Sequence, residues 1–317
     1  MRGTPEELVD RPDMDPLSDI LTLLRPTSHI TSGFHAGGDW AVAFDDLAHR
    51  IKCYAVIAGG CWLQVAEQPP LRLTEGDCFV LPTGRPFRLG SDLALAARPA
   101  PEIFATARQG GVVTLNGGGD LHLVGSRFEV DPRYAAMALA TLPPIIHIRR
   151  TDERIVLAWT IDQMMRELAS TRPGAAVAAD LLSHLMLLQA LRTPEAQEAA
   201  PPGWYRALSD PQLRRAIEAL HATPASPWTI AALAQEAGMS RTAFASRFVA
   251  QVGEPPMTYL RRWRMLRAAD LLVAGRLAVA EIALTVGYES EAAFASVFRK
   301  VMGEPPRGCA RFVRTGS

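Results

Sequence analysis

The chain has 317 residues, 48% hydrophobic and 21% charged, which excludes a disordered tail or a small cysteine-stapled module and suits two folding units. Its 33 basic and 33 acidic side chains cancel overall but not locally. Residues 201–317 hold 15 basic and 9 acidic groups, a net of +6, and residues 1–200 hold 18 and 24, a net of −6. A basic end on an acidic body points to a nucleic-acid partner for one part only.

No apolar run reaches the roughly 18 to 20 residues needed to cross a bilayer, and the acidic amino terminus has no signal-like segment. The sequence therefore reads as cytoplasmic, without a membrane partner. Cys53, Cys61, Cys78 and Cys309 lack the close spacing of a zinc finger or a redox CxxC pair and read as buried small apolar residues.

From Trp40 to about Leu123, short apolar runs alternate with glycine and proline. Tyr54–Ile57 precedes Gly59 and Gly60, Cys61–Val65 precedes Pro69 and Pro70, and Cys78–Leu81 follows Glu75, Gly76 and Asp77. Closely spaced strands with polar turns predict a small sandwich or barrel whose interior can admit a ligand. A period of two puts Tyr54 and Val56 on one face, Cys53 and Ala55 on the other. Gly117, Gly118 and Gly119 lack a phosphate-loop context and predict a turn.

Near Arg154 the rhythm becomes helical. Ile155, Ala158, Trp159, Ile161, Met165 and Leu168 share one face, and Leu181, Leu182, Leu185, Leu188 and Leu191 mark a second helix after a turn at Thr171–Gly174. These helices bury each other or meet a second copy of the chain through Ile155, Trp159, Leu181 and Leu185. Thr193–Gly203, with three prolines, reads as a linker. The expected division is thus 1–150, 151–203 and 204–317.

The strongest pattern is an internal repeat. Ala243, Phe244, Ala245, Ser246, Arg247 and Phe248 precede Gly253, Glu254, Pro255 and Pro256; Ala293, Phe294, Ala295, Ser296, Val297 and Phe298 precede Gly303, Glu304, Pro305 and Pro306. Each copy follows an apolar helix and a glycine, Gly238 or Gly287, with Ser240 or Ser290 placed to cap the next helix. Phenylalanines at i and i+4 anchor an inner face and leave another free. Tyr259–Val273 predicts a joining helix of roughly 22 Å, compatible with two reading helices in major grooves about 34 Å apart. Arg247, Arg262, Arg264, Arg299 and Lys300 are the candidate phosphate contacts.

WTIAALAQEAGMSRTAFASRF, YLRRWRMLRAADLL and IALTVGYESEAAFASVFRKVMGEPP, between Trp228 and Arg311, resemble the AraC/XylS family of bacterial transcription regulators. Gly308 and Cys309 depart from it, standing near a position where the family often has tyrosine before arginine. CYAVIAGGCWLQV and LRLTEGDCFVLPTGRPFRL are similar to the cupin-like sensor domain of one subgroup. The resemblance implies an α+β chain: an amino-terminal cupin-like β-barrel, connecting helices, and an all-α carboxy-terminal domain with two helix-turn-helix motifs.

It also implies a regulator rather than an enzyme, acting on double-stranded promoter DNA under a small-molecule effector, with RNA polymerase and a second copy as further candidate partners. Mapped family positions put base reading on Arg241, Thr242, Ala245 and Ser246, then on Glu291, Ala292, Ala295 and Ser296. Tyr54, Trp62, Phe79 and Phe87 are the candidate effector pocket. No metal or other cofactor is expected, because His49 lacks an HxH partner and Phe87 stands where a cupin histidine belongs. The alternatives are an architectural DNA-binding protein without effector and a DNA-tethered cupin enzyme.

Overall fold

The computed structural model describes residues 15–45, 50–105, 111–149 and 155–311. It divides into two compact units, Pro26–Ala200, and Met1–Arg25 joined with Pro201–Ser317. The chain therefore passes from one unit to the other twice. Helix α1 (Pro16–Leu24) belongs with the carboxy-terminal unit, whereas the sequence division groups it with the strands that follow. Asp15 starts α1 by accepting from the backbone N–H groups of Leu17 and Ser18.

The unit Pro26–Ala200 is built on a curled sheet, with ten strands among the described residues. In chain order these are β1 (Thr27–Ala36), β2 (Ala41–Phe44), β3 (Arg50–Val65), β4 (Leu71–Thr74), β5 (Cys78–Leu81), β6 (Phe87–Gly90) and β7 (Arg98–Pro99), then β8 (Val112–Leu115), β9 (Leu121–Glu129) and β10 (Ile146–Ile148). Helices α2 (Ala100–Phe104) and α3 (Pro132–Leu139) interrupt them. The main order is β7-β2-β6-β3-β9-β1-β8, with β4 and β5 pairing β3, and β10 pairing β5.

Strand β3 is the spine. It continues through Gly59 and Gly60, where the sequence predicts two strands parted by a turn. Its register against β9 shifts between Val56 and Ala58. Gly59 has φ +75°, and a Cβ there would lie 1.9 Å from the carbonyl oxygen of Asp120, so glycine permits a close approach inside a bulged strand instead of ending it. The bulge inverts the alternation. Tyr54 and Val56 face the aromatic core before it, and Cys61, Leu63 and Val65 face that core after it.

Helices α4 (Ile155–Leu168) and α5 (Ala175–Leu191) form a hairpin, and α5 lies on β1 and β5. Their buried face corrects the leucine-rich one expected. Helix α4 buries Leu157, Thr160 and Met164; α5 buries Ala179, Ser183, Met186, Leu187, Ala190 and, of the leucines expected, Leu191. Thr160 and Ser183 are tolerated there because their hydroxyls donate to the carbonyls of Val156 and Asp180, each at 2.7 Å. Small residues let α5 approach the sheet, and Leu181 turns outward. The short helix α6 (Pro194–Glu198) follows, within the expected linker.

Among the described residues the other unit adds eight helices to α1: α7 (Trp204–Ala207), α8 (Pro211–Ala222), α9 (Ile230–Glu236), α10 (Arg241–Val252), α11 (Pro256–Ala274), α12 (Val279–Thr285), α13 (Glu291–Met302) and α14 (Pro306–Arg311). α1 rests on α8. Across that contact the buried His221 donates from Nδ1 to Asp19 Oδ2 at 2.9 Å, while its Nε2 accepts from the Tyr259 hydroxyl at 2.7 Å. The ring stacks on Trp263 at a centroid distance of 3.9 Å. Burial holds the imidazole below its ordinary range, outweighing the opposite pull of Asp19, so the neutral ring fits both bonds. Among the described residues no helix is long and apolar enough to cross a membrane.

Candidate nucleic-acid interface

The sequence repeat is a structural repeat. In the first copy α9 ends at a turn carrying Gly238 at φ +65°, and Ser240 Oγ accepts from Ala243 N at 3.3 Å to start α10. In the second, α12 ends at Gly287 with φ +83°, and Ser290 Oγ accepts from Ala293 N at the same 3.3 Å to start α13. Gly253 and Gly303 close the two helices in the left-handed conformation. Phe244, Phe248, Phe294 and Phe298 are all fully buried, and the ring centroids within each pair are 5.5 Å apart.

Burying the phenylalanines turns the opposite helix faces outward. Arg241, Thr242 and Ser246 are exposed and Ala245 is half-buried; in the second copy Ala292 and Ser296 are exposed, with Glu291 and Ala295 half-buried. Glu291 lies 3.5 Å from Arg307. The first face thus offers a guanidinium and two hydroxyls, the second two methyl groups, one hydroxyl and the half-buried Glu291 carboxylate.

The candidate phosphate contacts separate into three kinds. Arg299 and Lys300 are exposed at the end of α13. Arg247 pairs with Asp210 at 2.6 Å and Arg262 with Glu254 at 2.5 Å, so each already has a carboxylate. Arg264 is turned into the protein: Nε donates to the Pro224 carbonyl at 2.6 Å, Nη2 to Ser226 at 2.9 Å and Nη1 to Gly287 at 3.3 Å. Its guanidinium also lies over Tyr288. This corrects the phosphate role expected of Arg264: three carbonyls hold the fork beside the second turn. Arg215, unmarked by the repeat, similarly donates to the carbonyls of Glu236 and Ala237 at the end of α9.

In the strand unit Tyr54, Phe79 and Phe87 lie in the inner core, with Tyr54 stacked on Phe79 at 5.0 Å and Phe87 on Phe44 at 4.4 Å. Trp62 does not join them. The β3 bulge places it on the opposite face from Cys61 and Leu63, with Arg72 over its ring, which corrects its place in the expected pocket. All four cysteines are buried; burial pushes the Cys61 thiol up to about 12 and the Cys53 thiol well upward beside Cys78. Among the described residues there is no group of three or more His, Cys, Asp or Glu able to hold a metal ion. His49 lies outside them.

On the helical hairpin, Trp159 is 53% exposed and Leu181 65%, flanked by exposed Val156 and Val177. Leu185 is half-buried. The side chain of Ile155 lies outside the described residues.

Two helix-turn-helix units carried by one connecting helix, each with an outward reading face, define a DNA-binding protein. A family model described as Cupin matches residues 15–194, and one described as Helix-turn-helix domain matches residues 233–311. A Streptomyces lividans protein described as AraC-like transcription regulator is 39% identical over 296 residues, covering 92% of this chain and 97% of that one. The HTH-type transcriptional regulator AlkR of Acinetobacter baylyi is 27% identical, over 85% of this chain and 90% of its own. Among solved structures, the C-terminal domain of AraT, a response regulator from Geobacillus stearothermophilus, is 29% identical over 32% of this chain and 86% of its own, with a TM-score of 0.31. The chain belongs to the AraC family of transcription regulators, with an amino-terminal cupin domain, and the relatives are regulators rather than enzymes.

Proposed function

We propose that this regulator reads a defined promoter sequence mainly through α10, with α13 adding weaker or shape-dependent contacts. One observation carries the asymmetry: the α10 face exposes Arg241 and Thr242, while α13 presents Ala292 and Ser296 beside a half-buried Glu291. Arg241 reaches guanine as a bidentate donor, Thr242 a base edge or thymine methyl, and Glu291 accepts from cytosine. Ala245, Ser246, Ala292, Ala295 and Ser296 shape the remaining surface. Arg299 and Lys300 neutralise phosphates, and Arg247 and Arg262 do so by exchanging a carboxylate for one.

A small effector in the strand unit changes the availability of the reading helices, and RNA polymerase is the downstream partner. The exposed apolar strip around Trp159 and Leu181 supports a homodimer, which a concentration series of sedimentation masses tests.

Base reading is tested by first selecting bound duplexes from a random pool, then measuring Arg241→Ala on a selected and a scrambled duplex at one salt concentration. Discrimination falls by about 1 to 3 kcal/mol if Arg241 reads a base. Equal losses on both duplexes reject that role.

A further inference from the structure

The inner end of β3 carries a charge arrangement that a purely structural core would not favour. Lys52 is 7% exposed and lies on the same face as Tyr54 and Leu81, its ammonium 5.7 Å from the centroid of the Phe44 ring. Directly across the ladder stands Arg127, and Arg50 is opposite Glu129. Like charges placed directly opposite on antiparallel strands repel. Glu129, the nearby carboxylate, is shared between Arg127 at 3.4 Å and Arg50 at 3.6 Å. No carboxylate among the described residues pairs with Lys52, and the buried Arg127 Nε has no hydrogen-bond partner among them. Lys52 and Arg127 therefore stand side by side at the border of an aromatic interior.

A buried ammonium without a counter-charge is costly, and methionine would fill similar space without that penalty. Burial, with Arg127 and Arg50 beside it, pushes the Lys52 ammonium down to about 8, so at neutral pH it still carries its charge. The apolar wall continues from Phe44 to Phe87 and Tyr54. Two adjacent donors then offer an anionic head group its partners, while the aromatic wall accepts an apolar body.

We infer that Lys52 and Arg127 form an anion-binding subsite of the cupin unit, selecting as effector a small amphipathic carboxylate whose apolar part lies along Phe44, Phe87 and Tyr54. This rests on the proposed role of the unit as effector domain and names the chemical class it takes. The ammonium supplies a point charge and the arginine a directional donor, the pairing that fixes a carboxylate against its uncharged analogues.

The test uses the full chain and calorimetric titration with matched acids and amides, from phenylacetate and 4-phenylbutyrate to decanoate, each against its own primary amide. Inorganic phosphate forms a separate arm. At least one acid binds saturably and at least tenfold more tightly than its amide, and it raises the thermal midpoint. Lys52→Met and Arg127→Gln each abolish the acid-over-amide preference while amide binding stays unchanged. Lys52→Met without additive melts no lower than the parent, which keeps the variant interpretable.

Equal binding of acid and amide, or a preference that survives Lys52→Met, overturns the subsite and leaves the effector reading standing. Phosphate alone binding with the same Lys52 dependence overturns the carboxylate class. No binding by any member of the panel overturns both this subsite and the effector reading for this chemistry.

Discussion

Replacing Asp19 by alanine tests whether the amino-terminal helix is an energetic part of the DNA-binding unit. The His221 side chain has no solvent exposure. In the variant its Nδ1–H loses the acceptor now at 2.9 Å, while the bond from Tyr259 to Nε2 at 2.7 Å persists. A buried donor left unsatisfied costs about 1 to 3 kcal/mol. Hydrogen exchange by mass spectrometry reads this as amide exchange about 5- to 150-fold faster in peptides that open with the contact, both residues 16–24 and residues 211–222. Asp15→Ala is the control. It removes the cap of α1 and the acceptor of the Ser18 hydroxyl, costs about 1 kcal/mol, and accelerates exchange in residues 16–24 far more than around His221. If Asp19→Ala leaves exchange in residues 211–222 at the parent rate, the Asp19–His221–Tyr259 chain of bonds contributes no stability and the reasoning fails.

The same histidine sets a pH dependence: burial lowers its folded-state affinity for protons below the ordinary 6.5, so its contribution is complete above that value and is lost as pH falls beneath it. Urea midpoints at about pH 8 and about pH 5.5 reveal that loss, and His221→Gln reduces the difference. Gly287→Ala destabilises more than Gly238→Ala in thermal melts. The left-handed conformation costs either variant about 1 to 2 kcal/mol, but only at Gly287 would the new Cβ lie 2.7 Å from a backbone carbonyl oxygen, that of Ala225. Arg264→Lys lowers the melting midpoint because an ammonium cannot reproduce the planar fork to three carbonyls. Arg299→Ala leaves melting unchanged and reduces the slope of log affinity against log salt by about 1; an unchanged slope removes Arg299 from the phosphate contacts.

The helix-turn-helix pair was legible because its determinants are local. Gly238 and Gly287 permit the turns, Ser240 and Ser290 start the helices, and two phenylalanine pairs set the buried faces, all within about a dozen residues. The joining helix was equally plain, extending from Pro256 to Ala274. Strand β3 was harder. Gly59 and Gly60 look like turn residues, and only the approach of Asp120, the residue before β9, reveals a bulge; that bulge then reverses the side of the sheet on which Trp62 falls. The hairpin faces are hard to see in the sequence because a hydroxyl bonded to its own helix passes as apolar, so Thr160 and Ser183 enter the core. In the reading helices, exposure follows from the phenylalanine positions, but the occupation of Arg264 by carbonyls 23 to 40 residues away does not. Least visible was the bond between Asp19 and His221, 202 residues apart.

That long-range bond bears on how the protein can be cut. A fragment beginning at Pro201 would leave the surface under α1 bare and His221 without its acceptor, so the compact carboxy-terminal unit is made of two noncontiguous stretches of chain. Limited digestion between the units should yield a nicked pair that co-elutes.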